Sequence, residues 1–461
     1  MKLGDLAATL SAQLDAVSAE VEYTRLVTDS RQVVAGDVFF AIVGEQFDGH
    51  DHAAEAIAKG AVAAVVARKV GVPSLLVSDP LVAYGRAAAA HRAALAAQVI
   101  GVTGSTGKTS TKDLLAGILE QFGTTVAPPG SFNNEVGLPS TVLAATAETQ
   151  FLVLEMGMRG LGQIDYLCSI AKPTIGVITN VGSAHQELLG TREAVLSAKA
   201  ELVRSLPGNG VAVLLADDPS VLALRTELDC HTLTFGQSEG ADVAIRDLEL
   251  DALARPTFNM VYAGQTVRVA LRVSGEHQAL NAAAAVAAAV AAGLDFSAVA
   301  AALCEVEPRS RWRMEVSSRA DGVTIVNDAY NANPESMRAG LKALKAMASG
   351  RRTWAVLGEM RELGADTVMA DDEIGRLCVR LDISRLVAVG PAGKLLQIGA
   401  REEGSWGNEA TWVPDVESAI DLLRAELLPG DIVFVKASRA IGLERVAEAL
   451  LTDGTGENPQ P

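Results

Sequence analysis

Residues Gly104, Ser105, Thr106, Gly107, Lys108, Thr109 and Ser110 place two glycines, a lysine and four hydroxyls in seven consecutive positions. Glycines let backbone N–H groups approach phosphate oxygens. A lysine can neutralise β- and γ-phosphates, and a hydroxyl can ligate magnesium. An apolar, strand-like run at 99–103 comes before the loop and a helix-like segment after it. That order predicts a phosphate nest at a helix N-terminus, with a nucleoside triphosphate as its ligand. The competing reading is a glycine turn before an ordinary helix. Three further residues bear on where a phosphoryl group could go. Glu155 follows FLVL and is either a magnesium ligand or the acid at a helix start. His185, in TNVGSAHQELLG, could ligate a metal through a neutral imidazole or cap a loop. Lys199 lies in REAVLSAKAELVRSL, a mixed helical pattern that by itself describes a solvated surface lysine.

Layers of strand and helix must position these groups. Residues 1–80 read as one module, with strands at 38–43, 62–66 and 75–77 and a helix at 53–59 stopped by Gly60; Pro80 reads as the break after it. Residues 81–312 carry strands at 99–103, 151–154, 174–179 and 211–215 with helices between them. Continuous apolar strands alternating with helices imply a parallel sheet covered on both faces, with ligands at the carboxyl ends of its strands. Gly104, Glu155 and Asn180 stand near such ends, which groups them in space. Residues 313–461 repeat the pattern, with strands at 323–326, 354–357, 386–389 and 432–435, but have no GxGxxG loop. The tail TDGTGENPQP is predicted to be disordered.

Composition narrows the function. A chain of 461 residues suggests about three domains. With 39 basic and 56 acidic residues the formal charge is -17, which argues against nucleic acid as a partner. Cys168, Cys230, Cys304 and Cys378 are widely spaced, as in a reducing compartment, and form neither a disulfide framework nor a thiolate zinc pattern. The opening MKLGDLAATLSA lacks a long apolar stretch, and the alanine run at 279–292 contains Asn281 and is too short to span a membrane. A cytoplasmic protein without membrane insertion is expected.

From Asp29 to Arg439 the chain resembles the Mur ligases, ATP-dependent amide-forming enzymes of peptidoglycan synthesis. The motifs occur in order: DSR at 29–31, GEQFDGHD at 44–51, TGSTGKTS at 103–110, GSFNNEVGLP at 130–139, LEMGMRGLGQI at 154–164, TNVGSAH at 179–185, AK at 198–199, HQALN at 277–281, NDAYNANPESM at 327–337, GEMRELG at 358–364 and VKASRAIGLE at 435–444. The resemblance implies an α/β, three-domain Mur ligase architecture. A UDP-substrate domain at 1–80 comes first, then a central ATP-binding P-loop parallel-sheet domain at 81–312, then a Rossmann-like ligase domain at 313–461. It implies that Gly104 to Ser110 hold ATP, with Asn281 in the adenine pocket, Asp328 on ribose or phosphate, and Arg313 as the arginine preceding the last domain's strand. Ser30, Arg31, Gln46, Phe47 and Asp48 would bind the UDP end, and Asn133 and Asn134 the muramoyl part. Lys436, Ser438 and Arg439 would complete the substrate contacts. Two magnesium ions would be held by Thr109, Glu155, His185 and Lys199, with Lys199 converted to a carbamate. Lys108, His185 and Lys199 would be the catalytic residues.

The implied reaction joins D-alanyl-D-alanine to a UDP-N-acetylmuramoyl-tripeptide in a monomeric enzyme. A carboxylate attacks the ATP γ-phosphate, and the free amine then attacks the resulting acyl phosphate. Closure that excludes water is expected, because acyl phosphates hydrolyse readily. FNNEVGLP, EMGM and DAYNANPESM favour this dipeptide-adding member over a sister ligase that adds the third residue and over a folate polyglutamate ligase. Lys108, Thr109, Glu155, His185 and Lys199 together argue against a catalytically silent nucleotide-binding subunit, and the distal motifs argue against a P-loop switch or motor.

Overall fold

A computed structural model of the chain describes residues 1–44, 46–182, 189–405 and 407–453. The chain forms two compact units. One is Met1–Gly101, Gly123–Gly157 and Gln163–Thr174; the other is Val102–Phe122, Met158–Gly162 and Ile175–Pro461.

The first unit contains a five-stranded sheet in the order Gln13–Asp15, Ser74–Leu76, Ala63–Val66, Val38–Phe40, Leu26–Val27, antiparallel at the first pair and parallel beyond it. Side chains alternate across a strand. Val38, Phe40, Ala63 and Val65 therefore join one core with the helices Leu3–Leu10 and Pro80–Ala93, while Phe39, Ala64 and Val66 join another with the helix Ala53–Ala58. Pro80 opens a helix here instead of ending a module. Its ring suits the first helical position, Asp79 caps the helix through the N–H groups of Leu81 and Val82, and Tyr84 meets Phe40 edge-on at 5.0 Å. The expected strand at 38–43 stops at Phe40. Val43 instead bridges Asp48, which closes the GEQFDG loop.

A nine-stranded sheet runs Gln265–Ala270, Pro256–Tyr262, Val243–Leu250, His231–Gly236, Val211–Leu215, Ile175–Ile178, Gln98–Thr103, Phe151–Glu155, Thr125–Val126. The expected all-parallel sheet is thus corrected to a mixed one. Strands 175–178, 211–215, 231–236 and 243–250 pair in parallel, but 243–250, 256–262 and 265–270 form an antiparallel meander. The meander lacks continuous apolar runs because it is only half-buried; residues 256–262 alternate between buried and partly buried. The alanine run forms the helix Gln278–Ala291, whose residues Ala282–Ala289 are fully buried. Among the described residues no helix is long and apolar enough to cross a membrane. The four cysteines are free thiols.

The last sheet runs Glu315–Ser318, Thr324–Asn327, Ile432–Lys436, Thr353–Leu357, Arg385–Val389, Ala410–Val413, and all pairs after the first are parallel. Helices Pro334–Ala348, Thr367–Arg380 and Gly393–Glu403 pack on one face, and Val416–Glu426 and Glu444–Asp453 on the other. The final strand returns between the second and the fourth of the sheet order. The connections therefore change direction at the carboxyl ends of these strands, the place where open α/β sheets hold their ligands. Part of the predicted disordered tail, Thr452 and Asp453, is helical, and the rest lies outside the described residues.

One group in this unit opposes folding. Asp371 is 0% exposed, and neither carboxyl oxygen has a hydrogen-bond partner among the described residues. Burial, reinforced by the charge of Glu359, pushes its carboxyl up to about 7. In the unfolded chain the same group ionises near ~4. Between those two values the folded protein holds a proton that the unfolded chain has lost. Stability therefore falls as pH rises through that window, and the loss is complete above the folded value. Asp371→Asn is expected to flatten this slope and raise stability at pH 8.5, by at most about 4 kcal/mol. Thermal melts at pH 5.5 and 8.5 check this; the same pH slope in variant and parent would refute it.

Candidate active site

The strand Gln98–Thr103 delivers its chain into a loop that two glycines make possible. Gly104 has φ +154° and Gly107 φ +77°. A Cβ on Gly104 would fall 1.9 Å from Thr179 Oγ1, and one on Gly107 would fall 2.2 Å from Asn281 Oδ1. The loop is held from the side by residues 179–182. Asn180 Oδ1 accepts from the Thr106 N–H at 2.9 Å, and Asn180 Nδ2 donates to Thr106 Oγ1 at 2.8 Å. Thr179 Oγ1 donates to the Thr106 carbonyl at 2.6 Å, and Ser105 Oγ accepts from Gly182 N–H at 2.8 Å. The helix Lys108–Leu119 begins directly after the loop and has no acid in its first turn, so its positive end stays available to an anion. Lys108 Nζ donates to the Gly104 carbonyl at 2.7 Å and lies back along the loop.

Lys199 differs from its sequence pattern. It sits in the helix Arg192–Arg204 but is only 1% exposed, so the solvated-surface reading is corrected to a buried amine. Burial first, and the charge of Lys108 second, push its pKa well below the ordinary lysine value. This brings Lys199 into the field of the P-loop lysine. His185 lies outside the described residues.

Elements from the end of the chain meet the same loop. Arg313 Nη2 donates to Thr109 Oγ1 at 3.1 Å while its guanidinium stacks 4.2 Å above Tyr330. Asn281 Nδ2 donates to Gln278 Oε1 at 2.9 Å, which orients its carbonyl toward the loop glycine. Asp328 accepts from Met314 N–H at 3.1 Å and pairs with Lys436 Nζ at 2.5 Å; the ammonium also reaches the Asn331 carbonyl at 2.8 Å. Burial lowers the Lys436 pKa despite Asp328. Ser438 Oγ accepts from Arg361 N–H at 2.9 Å, so residues 359–361 lie along 436–438. Arg439 pairs with Glu444 at 2.5 Å.

Sequence reasoning quoted His277 without assigning it a role. Among the described residues its Nδ1 is buried without a partner, and it lies within the fields of Asp328 and Lys436; burial lowers its pKa and favours the neutral ring. A histidine just before a helix carrying Asn281 was the available sign.

In the other unit, Glu155 is the last residue of its strand and is 1% exposed. Asn133 Nδ2 donates to Glu155 Oε1 at 2.7 Å, and the Asn133 carbonyl accepts from Gly157 N–H at 2.8 Å. The expected muramoyl loop and the expected magnesium ligand are therefore neighbours. Asn134 caps the following helix through Gly137 N–H at 2.9 Å. Asp48 is occupied internally. Its Oδ1 accepts from His50 N–H and from His50 Nδ1, at 2.9 and 2.6 Å, while Arg68 holds Oδ2 at 2.9 Å; the His50 N–H bond first, with these partners, lowers its carboxyl to about 2. His50 Nε2 accepts from Ala67 N–H at 2.9 Å, which leaves the ring proton on Nδ1 facing Asp48. Arg31 forks onto Asp29 at 2.9 and 2.8 Å, the Ser30 carbonyl accepts from Lys59, and Gln46 and Phe47 are exposed.

A Gly-rich loop on a helix start, a buried amine in the field of its lysine and a doubly wound sheet whose connections change direction are the parts of an ATP-dependent ligase. Consistent with this, residues 102–289 match the Mur ligase middle domain, 312–439 the Mur ligase glutamate ligase domain, and 22–106 the Mur ligase family catalytic domain. The chain belongs to the Mur ligase family. It is 45% identical to the UDP-N-acetylmuramoyl-tripeptide–D-alanyl-D-alanine ligase of Mycobacterium bovis, across 100% of this chain and 98% of that protein. It is also similar to crystal structures of MurF from Acinetobacter baumannii (TM-score 0.88, 30% identity, 98% of each chain) and of MurF ligase from Thermotoga maritima in complex with ADP (TM-score 0.81, 32% identity, 93% of this chain and 97% of that one).

Gly107→Ala is expected to weaken ATP binding by at least tenfold, because the new methyl meets Asn281 and the backbone is left-handed there. Gly208→Ala, where a Cβ meets nothing within 4 Å, should leave binding unchanged. Titration calorimetry with ATP compares the two; equal affinities would contradict the built loop.

Proposed function

We propose that this chain joins the terminal carboxylate of UDP-N-acetylmuramoyl-tripeptide to the amine of D-alanyl-D-alanine, consuming ATP, in the cytoplasmic synthesis of peptidoglycan precursors. The choice of substrates rests on full-length likeness to ligases of that name. The chemistry rests on one observation above all, the buried Lys199 amine in the field of Lys108. We assign the UDP end to residues 1–80, the nucleotide to 81–312 and the ligase step to 313–461.

The loop N–H groups and the helix start bind the triphosphate, and Asn281 flanks the adenine side. Lys108 exchanges the Gly104 carbonyl for phosphate oxygens, where its charge opposes the charge that builds on the transferring phosphoryl group. The substrate carboxylate attacks the γ-phosphorus, the bond to ADP breaks, and an acyl phosphate forms. The dipeptide amine then attacks the acyl carbon, inorganic phosphate leaves, and the amine gives up a proton. A free carboxylate would have to expel oxide, and phosphorylation supplies a better leaving group.

Magnesium, when bound, would offset the triphosphate charge. Thr109, Glu155, His185 and Lys199 would hold two such ions. Magnesium prefers oxygen donors, and an ammonium supplies none. Among the described residues no cluster of three or more His, Cys, Asp or Glu could hold a metal. A carbamate on Lys199 would add negative oxygens. Its formation from carbon dioxide needs a neutral amine, which burial and the nearby Lys108 favour.

Incubation with ATP, UDP-tripeptide and D-alanyl-D-alanine should yield ADP, phosphate and a UDP-muramoyl pentapeptide by mass spectrometry. Addition of a single amino acid instead would favour the sister-ligase reading. Lys199→Ala should still bind ATP but lose at least a hundredfold in turnover. A small carboxylic acid in solution should restore part of the rate, and a neutral amide of the same size should do so less. Near-parent turnover without added acid would refute the carbamate.

A further inference from the structure

Trp312 stands at the entry to the last α/β module in a backbone conformation that disfavours it. Its φ is +58°, in the left-handed region that favours glycine, and Met314 follows at +51°. The indole Nε1 is buried and has no hydrogen-bond partner among the described residues. A tryptophan here carries both a strained backbone and an unmatched donor. Its backbone is pinned nevertheless. The Trp312 N–H donates to Glu315 at 3.0 Å, and its carbonyl accepts from Tyr330 N–H at 3.3 Å.

The compensation lies on the ring. The Arg439 guanidinium sits over the indole, 4.1 Å from its centroid, and Arg311 lies at 5.2 Å. An indole face attracts a guanidinium and holds its plane parallel or tilted at close range. Glu444 grips Arg439 Nη1 at 2.5 Å, and the arginine side chain remains 49% exposed. Arg439 is thus fixed at one edge by a carboxylate and across its plane by a ring. Among the described residues it has no further ion pair. The rest of its N–H fork is presented in one orientation, which suits two-point recognition of a carboxylate.

We propose that Trp312 is a positioning residue, whose ring sets the guanidinium plane of Arg439 for a carboxylate of one of the two peptide substrates. This rests on the reading of Arg439 as a substrate contact. Trp312 acts through Arg439 and does not itself touch the reacting atoms. A ring that only fills space would be replaceable at no cost in substrate affinity, and removing it would relieve the left-handed strain.

The test uses the full-length enzyme and the variants Trp312→Gly, Trp312→Phe, Arg439→Ala and the double variant Trp312→Gly/Arg439→Ala. Each is characterised by its melting temperature, kcat, and KM for ATP, UDP-tripeptide and D-alanyl-D-alanine. Trp312→Gly should melt no lower than the parent by more than a few degrees and keep kcat within about threefold. It should raise KM at least tenfold for one peptide substrate and leave KM for ATP unchanged. Which of the two peptide KM values moves identifies the source of the carboxylate. Trp312→Phe, which keeps a flat ring, should recover most of the affinity. The double variant should be no worse than Arg439→Ala, because both changes remove one contact. If Arg439→Ala raises a peptide KM and Trp312→Gly moves none, the positioning role is refuted while the reading of Arg439 stands. If Arg439→Ala moves no KM, the reading of Arg439 itself fails and the proposal falls with it. A Trp312→Gly effect on KM for ATP equal to that on the peptides would also overturn it, since the ring would then serve the junction as a whole.

Discussion

Lys108 and Lys199 repel each other, and Lys199 does so from a site that water hardly reaches. Burial and the neighbouring charge both disfavour the ammonium form of Lys199 unless an anion is shared. The surrounding architecture meets that requirement from several sides. The strand Gln98–Thr103 ends where Gly104 can turn, Thr179 and Asn180 clamp the loop, and the helix Lys108–Leu119 begins without an acid that would cancel its positive end. A triphosphate answers the charge of one lysine. Loss of a proton, followed by addition of carbon dioxide, would answer the other.

The last sheet contributes in a different way. Its parallel strands pair Asn327 with Val435 and Leu357 with Lys436 at neighbouring carboxyl ends. Three loops therefore emerge side by side. Asp328 and Lys436 neutralise each other across two of them, and Ser438 ties the third, at 359–361, to the pair. These polar groups are spent on one another, which fixes the three loops relative to one another before any ligand arrives. Asp48 plays a similar role in the first unit. It orients His50 and Arg68 beside the exposed Phe47.

What the sequence made legible follows from the range of the interactions involved. The phosphate loop depends on glycines, a lysine and a hydroxyl within seven positions, so local spacing was enough. Strand 432–436 is buried throughout and 211–215 is buried from Ala212 onward, and both declared themselves as apolar runs. The strands between 231 and 270 were missed because half-buried strands mix polar and apolar residues. Lys199 looked solvated because one turn of its helix shows both kinds of neighbour, and local pattern does not report tertiary burial. The pairing of Asp48 with Arg68 was not legible, since the two lie twenty positions apart. Pro80 was ambiguous in principle, because proline both ends segments and opens helices.

The helix Gln278–Ala291 carries methyl groups where most core helices carry larger side chains. Alanines set the distance between its axis and its neighbours, the helix Lys108–Leu119 among them. They act as a spacer of minimum thickness with no rotamers to adjust. The height of the phosphate loop above Asn281 is therefore set by the backbone, and the side chains have almost no slack. Such a gauge block tolerates neither filling nor shaving. An added methyl on the side that faces the helix Lys108–Leu119 would press on the helix that carries the phosphate loop, away from the place where the carbon was inserted.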